Sequence, residues 1–252
     1  MTLDTKEFTV RLARDEREIA AAQRLRYEVF VTELGGGGEM VDHENRIERD
    51  RFDPFFDHLI LMDARRDDAV VGVYRLLRCE RARAAGQFYS EDEYDISALR
   101  ASGRRLLELG RSCVHPAYRG GTAMLHLWQA LAEYVARHRI EILFGTASFH
   151  GTDVQALAHP LSLLHARHLA PPELRVRSCV YQPMNLLDES EIDRRRAMLE
   201  VPALIKGYLR LGGVVGDGAF VDHAFNTTDV CLVMDTAQMN ARAAGIYSRG
   251  RG

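Results

Sequence analysis

Two apolar blocks, HLILMDA (58–64) and VVGVYRLLR (70–78), are separated only by a charged turn around Arg66 and Asp67. Blocks of this length and composition, with a short polar break, predict a β-hairpin. Everything else in the chain must be arranged around it. Upstream, Phe8–Leu12 (FTVRL) alternates apolar and polar residues, as a half-buried opening strand does. Asp15 followed by Glu18 is a capping-box pattern. It predicts a helix with an apolar stripe through Ile19, Ala22, Leu25, Val29 and Phe30, ended by the four glycines Gly35–Gly38.

After a polar excursion from Cys79 to Gly103 with a short helix, LLELGRSCV (106–114) predicts a strand stopped by Pro116. A glycine pair then leads into a helix over about 122–138, and EILFGTAS (141–148) is a buried strand. A helix over about 153–168 follows, with a strand at VRSCVYQ (176–182), an Arg-rich helix around Arg194–Arg196, the segment VPALIKGYLRLGG (201–213) and a last strand, DVCLVMD (229–235). Ser248–Gly252 read as a frayed end. This order is α+β, one mixed central β-sheet flanked by helices.

Composition narrows the function classes. Hydrophobic residues at 46 % and charged residues at 27 % exclude a disordered chain. A net charge of −3 gives no global support to a nucleic-acid partner. No stretch approaches the ~20 apolar residues of a membrane span, and MTLDTKEFTVRLARDER lacks the apolar core of a signal peptide. The expectation is a cytoplasmic protein. Cys79, Cys113, Cys179 and Cys231 are scattered and the histidines form no HExxH, so no metal site is expected.

Four features carry chemistry. Arg26 lies beside the apolar stripe of the first helix, where a guanidinium either snorkels or finds a partner. Glu48, Asp50 and Asp53 crowd one loop, either as a solvated turn or as a site whose repulsion a cation relieves. Arg75 interrupts an apolar strand and, if buried, needs a counter-ion. Glu108 and Arg111 fall on opposite faces of a regular strand unless a bulge at Gly110 re-aims one of them, and a structural Glu–Arg couple is the alternative.

Jointly, Arg26-x-x-x-Phe30, Glu48-x-Asp50-x-x-Asp53, Arg75 and Glu108-x-x-Arg111 resemble the acyl-homoserine-lactone synthases and the related ornithine N-acyltransferases. The resemblance over residues 8–150 is shared by both. LIKGYLRLGG (204–213), GDGAFVDHAFN (216–226), NTTDVC (226–231) and SCVHPAYRGG (112–121) resemble the ornithine acyltransferases. The element order also resembles the GNAT (acyl-CoA N-acyltransferase) fold. The resemblance implies a single GNAT-like acyltransferase domain over 1–252, with a family-specific extension from about 183 to 252.

It further implies transfer of a 3-hydroxyacyl group from acyl carrier protein to the α-amine of L-ornithine, giving lyso-ornithine lipid. By the resemblance Glu108 accepts the amine proton and Arg111 orients Glu108 or the loop acids. Glu48, Asp50 and Asp53 would hold the δ-ammonium, Arg26 or Arg75 the α-carboxylate, and Phe30 would line the acceptor site. Backbone N–H groups of Ser112, Cys113 and Val114 would hold the oxyanion. Arg119, Gly120 and Gly121 would meet the donor, although Thr122 stands where the common GNAT phosphate loop has its first glycine. That departure fits a donor presenting only the phosphopantetheine thioester of acyl carrier protein, with no permanently bound cofactor. Arg119, Arg137, Arg139 and Arg194–Arg196 are candidates for carrier docking, the last also reading as a solvated face. PALIKGYLRLG is amphipathic, which suits core packing or a peripheral contact with the inner face of the membrane. The alternatives are an acyl-homoserine-lactone synthase using S-adenosylmethionine and a non-catalytic GNAT-like binding module.

Overall fold

The computed structural model describes residues 2–4 and 7–239. β1 (Thr2–Asp4) pairs with β2 (Phe8–Leu12). α1 (Glu16–Arg26) starts as the capping pattern predicts, Asp15 accepting from Glu18 N at 2.9 Å. Only half of the box forms, because the Glu18 carboxylate takes Arg14 N and the Arg11 guanidinium instead. The helix then widens into a π-helical stretch, Tyr27–Glu33, and Gly35 follows at φ +71°.

The hairpin appears as β3 (Asp57–Asp63) and β4 (Ala69–Arg78). α2 (Cys79–Ala85), a 3₁₀ turn at Tyr89–Asp92, β5 (Tyr94–Asp95) and α3 (Ser97–Ala101) make up the polar excursion. β6 (Leu106–Val114), α4 (Ala123–His138), β7 (Ile142–His150) and α5 (Ala158–His168) come next. Then follow β8 (Arg177–Ser178), α6 (Arg194–Glu200), α7 (Ala203–Arg210), β9 (Val214–Val215), β10 (Phe220–Asp222) and β11 (Thr227–Asp235).

The chain divides into two compact units, residues up to 86 with 109–140, and 87–108 with 141–239. In the first, β1, β2, β3 and β4 lie side by side and antiparallel. Both faces of the hairpin are covered, which is why its sequence is almost continuously apolar. Ala22, Leu25 and Val29 pack with Ile60, Met62, Val73 and Cys113 on one face. On the other, Leu127 of α4 comes so close that a Cβ at Gly72 would meet it at 3.0 Å.

In the second unit, residues 106–108 of β6 run parallel to β7, and β7 pairs antiparallel with β11 from His150 to Ile142. β10 and β9 flank β11. Parallel and antiparallel pairs together make the sheet mixed, as the sequence predicts. The region after about 183, expected as an extension, supplies β11, the full-length partner of β7. The expected strand at 176–182 shrinks to β8, paired with β5. Its neighbours form only single bridges, Arg177 to Asp217 and Gln182 to Ala219, because no one segment runs alongside the whole stretch. The amphipathic segment at 201–213 packs inward through Ile205, Tyr208 and Leu211. Ser248–Gly252 lie outside the described residues.

Candidate active site

The last turn of α1, the 48–53 loop, β4 and β6 bring six charged side chains of the first unit into one closed ring. Arg26 Nε donates to Glu48 Oε2 at 2.5 Å, and Arg26 Nη1 to Asp53 Oδ1 at 2.6 Å. Arg75 Nη1 reaches the same Asp53 oxygen at 2.7 Å and Asp50 Oδ2 at 2.8 Å. Arg111 closes the circuit with Glu48 Oε1 at 3.1 Å and Asp50 Oδ2 at 3.5 Å. Each acid therefore bridges two arginines and each arginine two acids. Charges alternate around the ring and cancel.

Local structure holds the ring. Glu48 N donates to Gln23 O at 3.2 Å, and Gln23 Nε2 to Asp53 Oδ2 at 3.0 Å. Gln23 and Arg26 are three residues apart on α1 and so share a face. His58 Nε2 lies 3.1 Å from the Asp53 carbonyl oxygen. The Phe56 ring packs against the Arg75 guanidinium at 4.3 Å, and Phe30 lies 5.9 Å from that of Arg111. Sequence reasoning missed Gln23, Phe56 and His58. Helical spacing could have found Gln23; nothing in the sequence distinguishes His58 or Phe56.

The expected irregularity in β6 is present, but Arg111 itself, not Gly110, takes the left-handed conformation, at φ +47°. That backbone is disfavoured for a side chain with a Cβ. The Arg111 guanidinium lies against Glu48 and Asp50.

Burial alone would raise the Glu48 carboxyl, but Arg111 and Arg26 more than offset it and hold it at about 2. Burial likewise opposes ionisation of Asp53, and Arg26 and Arg75 keep it well below the ordinary carboxylate range. Burial lowers Arg26, but Glu48 and Asp53 outweigh this and raise it. Burial lowers His58 against the pull of Asp53, so the imidazole is neutral at pH 7. Burial pushes the Cys113 thiol up to about 12, which removes it as a nucleophile.

Arg26 and Arg75 have no exposed side-chain surface, and Glu48 only 1 %, whereas Asp50 and Arg111 keep 18 % and 13 %. Arg26 and Arg75 are thus committed to protein carboxylates. Solvent reaches the ring through Asp50 and Arg111. Each ring carboxylate already faces two guanidinium groups, which leaves little negative charge to hold a metal ion.

Ser112 is half-buried, and Cys113 and Val114 are buried, beyond Arg111 on β6. Arg119, expected at the donor, forms a two-pronged pair with Glu33 at 2.5 and 2.7 Å, and its Nε donates to Val114 O. Gly120 (φ +77°) and Gly121 lead to Thr122, which caps α4 with no side-chain hydrogen bond.

In the second unit, Glu108 is 1 % exposed. Its oxygens accept from Tyr89 N at 2.8 Å, Ser90 N at 2.6 Å and Ser90 Oγ at 2.5 Å. The carboxylate thereby clamps the 3₁₀ turn at Tyr89–Asp92.

Residues 25–129 match the acetyltransferase (GNAT) domain family. The L-ornithine N(alpha)-acyltransferase of Rhodobacter capsulatus is 60 % identical over 252 residues, covering 97 % of each chain. That of Brucella abortus is 43 % identical, covering 94 % of this chain and 88 % of its own. The chain belongs to the L-ornithine N(alpha)-acyltransferase family. The acyltransferase shares its fold with FeeM, an N-acyl amino acid synthase from uncultured soil microbes, at a TM-score of 0.53 and 11 % identity over 92 % of this chain and 93 % of that one. The AHL synthase LasI superposes with a TM-score of 0.50 and 15 % identity, covering 96 % and 95 %. The GNAT-like α+β fold expected from the sequence is the fold of this acyltransferase. Among the described residues, no helix is long and apolar enough to cross a membrane.

Proposed function

We propose that this acyltransferase moves a 3-hydroxyacyl group from the phosphopantetheine thioester of acyl carrier protein to the α-amine of L-ornithine, forming lyso-ornithine lipid. The observation that carries the acceptor is near-full-length kinship, at 60 % identity, with an L-ornithine N(alpha)-acyltransferase. The amine nitrogen attacks the thioester carbonyl carbon, the C–N bond forms and the C–S bond breaks. One amine proton ends on the leaving sulfur, so the product is an amide and a free thiol. An α-amine, with a pKa of about 7.7–8, supplies the neutral nucleophile at neutral pH far more readily than a side-chain amine near 10.4.

The ring supports an amino-acid acceptor carrying both signs of charge. Asp50 takes the δ-ammonium and Arg111 the α-carboxylate, since these two members reach solvent. Arg26, Arg75, Glu48 and Asp53 hold them in place, and Phe30 lines the Arg111 side. A site whose charges are already balanced reorganises little as charge develops. Backbone N–H groups of Ser112–Val114 are the oxyanion donors in this reading. Gly120, Gly121 and the N-terminus of α4 meet the pantetheine phosphate, whose binding by Arg119 requires displacing Glu33.

Glu108 remains the proton acceptor in this proposal, with one condition. Of Tyr89 N, Ser90 N and Ser90 Oγ, only the Ser90 hydroxyl can turn round to accept, so in this reading it relays a proton taken by Glu108. The protein works in the cytoplasm, releasing its single-chain product at the inner membrane face.

The test is incubation of the purified protein with 3-hydroxyacyl carrier protein and ornithine, followed by mass spectrometry. N-acylornithine is expected. A lactone formed from S-adenosylmethionine with ornithine inert, or no product from either amine, overturns the reading; equal turnover with acyl-CoA overturns the carrier-protein donor.

A further inference from the structure

The acyl-transfer reading leaves one group of acids in the second unit without a task. Glu93 lies just before β5, Asp222 ends β10 and Asp229 sits within β11. One carboxylate oxygen from each lies within 4.8 Å of the other two. Glu93 and Asp229 are buried, at 5 % and 4 % exposure, and Asp222 is half-buried. Carboxylates gathered out of water repel one another unless a cation or shared protons neutralise them.

Sheet register adds a fourth oxygen. Asp222 stands opposite Thr227, and Phe220 opposite Asp229. Residues facing each other across strands, or two apart along one, share a face. Asp222, Thr227 and Asp229 therefore line the same side of the β10–β11 pair. Thr227 is 7 % exposed, and its Oγ1 is buried with no hydrogen-bond partner among the described residues. A buried hydroxyl left unpaired is costly, and here it belongs to the strand face that carries Asp222 and Asp229.

We propose that Glu93, Asp222, Asp229 and Thr227 Oγ1 hold one hard divalent cation. An all-oxygen set with three carboxylates selects calcium, magnesium or manganese over softer metals. Calcium, with bonds of about 2.3–2.6 Å, places opposite ligands about 4.6–5.2 Å apart and accepts this spacing with little movement. Asp222 is already steered by Ala224 N and Phe225 N, which donate to its Oδ1 at 2.8 and 3.1 Å. The half-exposed Asp222 side admits the ion and its remaining waters. Once bound, the ion ties the segment carrying Glu93 to the β10–β11 hairpin. Three residues upstream lies Ser90, which holds Glu108. No metal was expected from the sequence, because the ligands come from segments far apart in the chain.

Full-length protein stripped with EDTA is titrated in separate arms with Ca²⁺, Mg²⁺ and Mn²⁺, by calorimetry and by thermal unfolding. Saturable binding of one equivalent in at least one arm is expected, with Tm raised by several degrees at ligand excess. Asp222→Asn should weaken that binding at least tenfold, and Thr227→Val, which keeps the shape and removes the oxygen, should weaken it as well. No binding in any arm overturns the proposal, as does binding of parental strength in both variants. So does a Tm that ignores all three cations yet rises on acidification in EDTA, because shared protons then neutralise the cluster.

Discussion

Arg26 Nε and Glu48 Oε2 lie 2.5 Å apart, with at most 1 % of either side chain exposed. Neither charge is tolerable there alone, and each also serves a second partner in the ring. Removing one member of a buried pair strands the other at about 3–5 kcal/mol. Glu48→Gln should lower the urea midpoint accordingly, whereas Arg26→Leu with Glu48→Leu should cost less than the sum of the two single changes. A Glu48→Gln midpoint equal to that of the parent would show that the ring does not hold the loop.

Asp50 and Arg111 meet at the solvent edge of the ring, 3.5 Å apart. Asp50→Asn and Arg111→Lys should each raise the KM for ornithine by roughly tenfold, about 1.4 kcal/mol of acceptor binding. The KM for the acyl donor should stay within about twofold. A rise confined to the donor KM would move both residues out of the acceptor site.

Glu108 accepts three hydrogen bonds from Tyr89 and Ser90. Glu108→Ala should therefore lose stability as well as turnover, by about 1–3 kcal/mol for each donor left buried and unpaired. Ser90→Ala separates the two roles, since it keeps both amide bonds and removes the hydroxyl. A drop in kcat with ornithine KM unchanged is expected; kcat at the parental level would exclude Ser90 from proton transfer.

Burial holds His58 below its ordinary value of 6.5. The unfolded chain therefore binds a proton at His58 that the folded chain does not, and stability declines as pH falls below about 6.5. His58→Asn should flatten that decline between pH 7 and 5 in denaturation curves. An unchanged slope would assign the decline to other histidines.

Glu48 shows the second acid window. Its folded value, held at about 2 against an ordinary 4.5, makes its contribution complete above pH 4.5 and lost as pH falls toward 2. In Glu48→Gln the loss of stability across that interval should be smaller than in the parent. An equal loss would place the acid sensitivity elsewhere.

The linear order of residues determined the elements whose patterns are local. The 58–78 hairpin, the strand 106–114 and the helix ending at His138 all follow from short-range alternation, helical spacing and stop residues. The strand expected at 176–182 fell short because strand length depends on a partner that periodicity does not name. Arg26, Arg75, Arg111, Glu48, Asp50 and Asp53 could be picked out from their types and positions. Their pairing could not, since spacing along a chain says nothing about which acid lies between which two arginines. Only packing decided that Arg26 and Arg75 are sealed while Asp50 and Arg111 meet solvent, and that Glu108 binds a turn of backbone. Those outcomes depend on which distant segments exclude water from a charge, and desolvation is a property of the folded surroundings rather than of the residue.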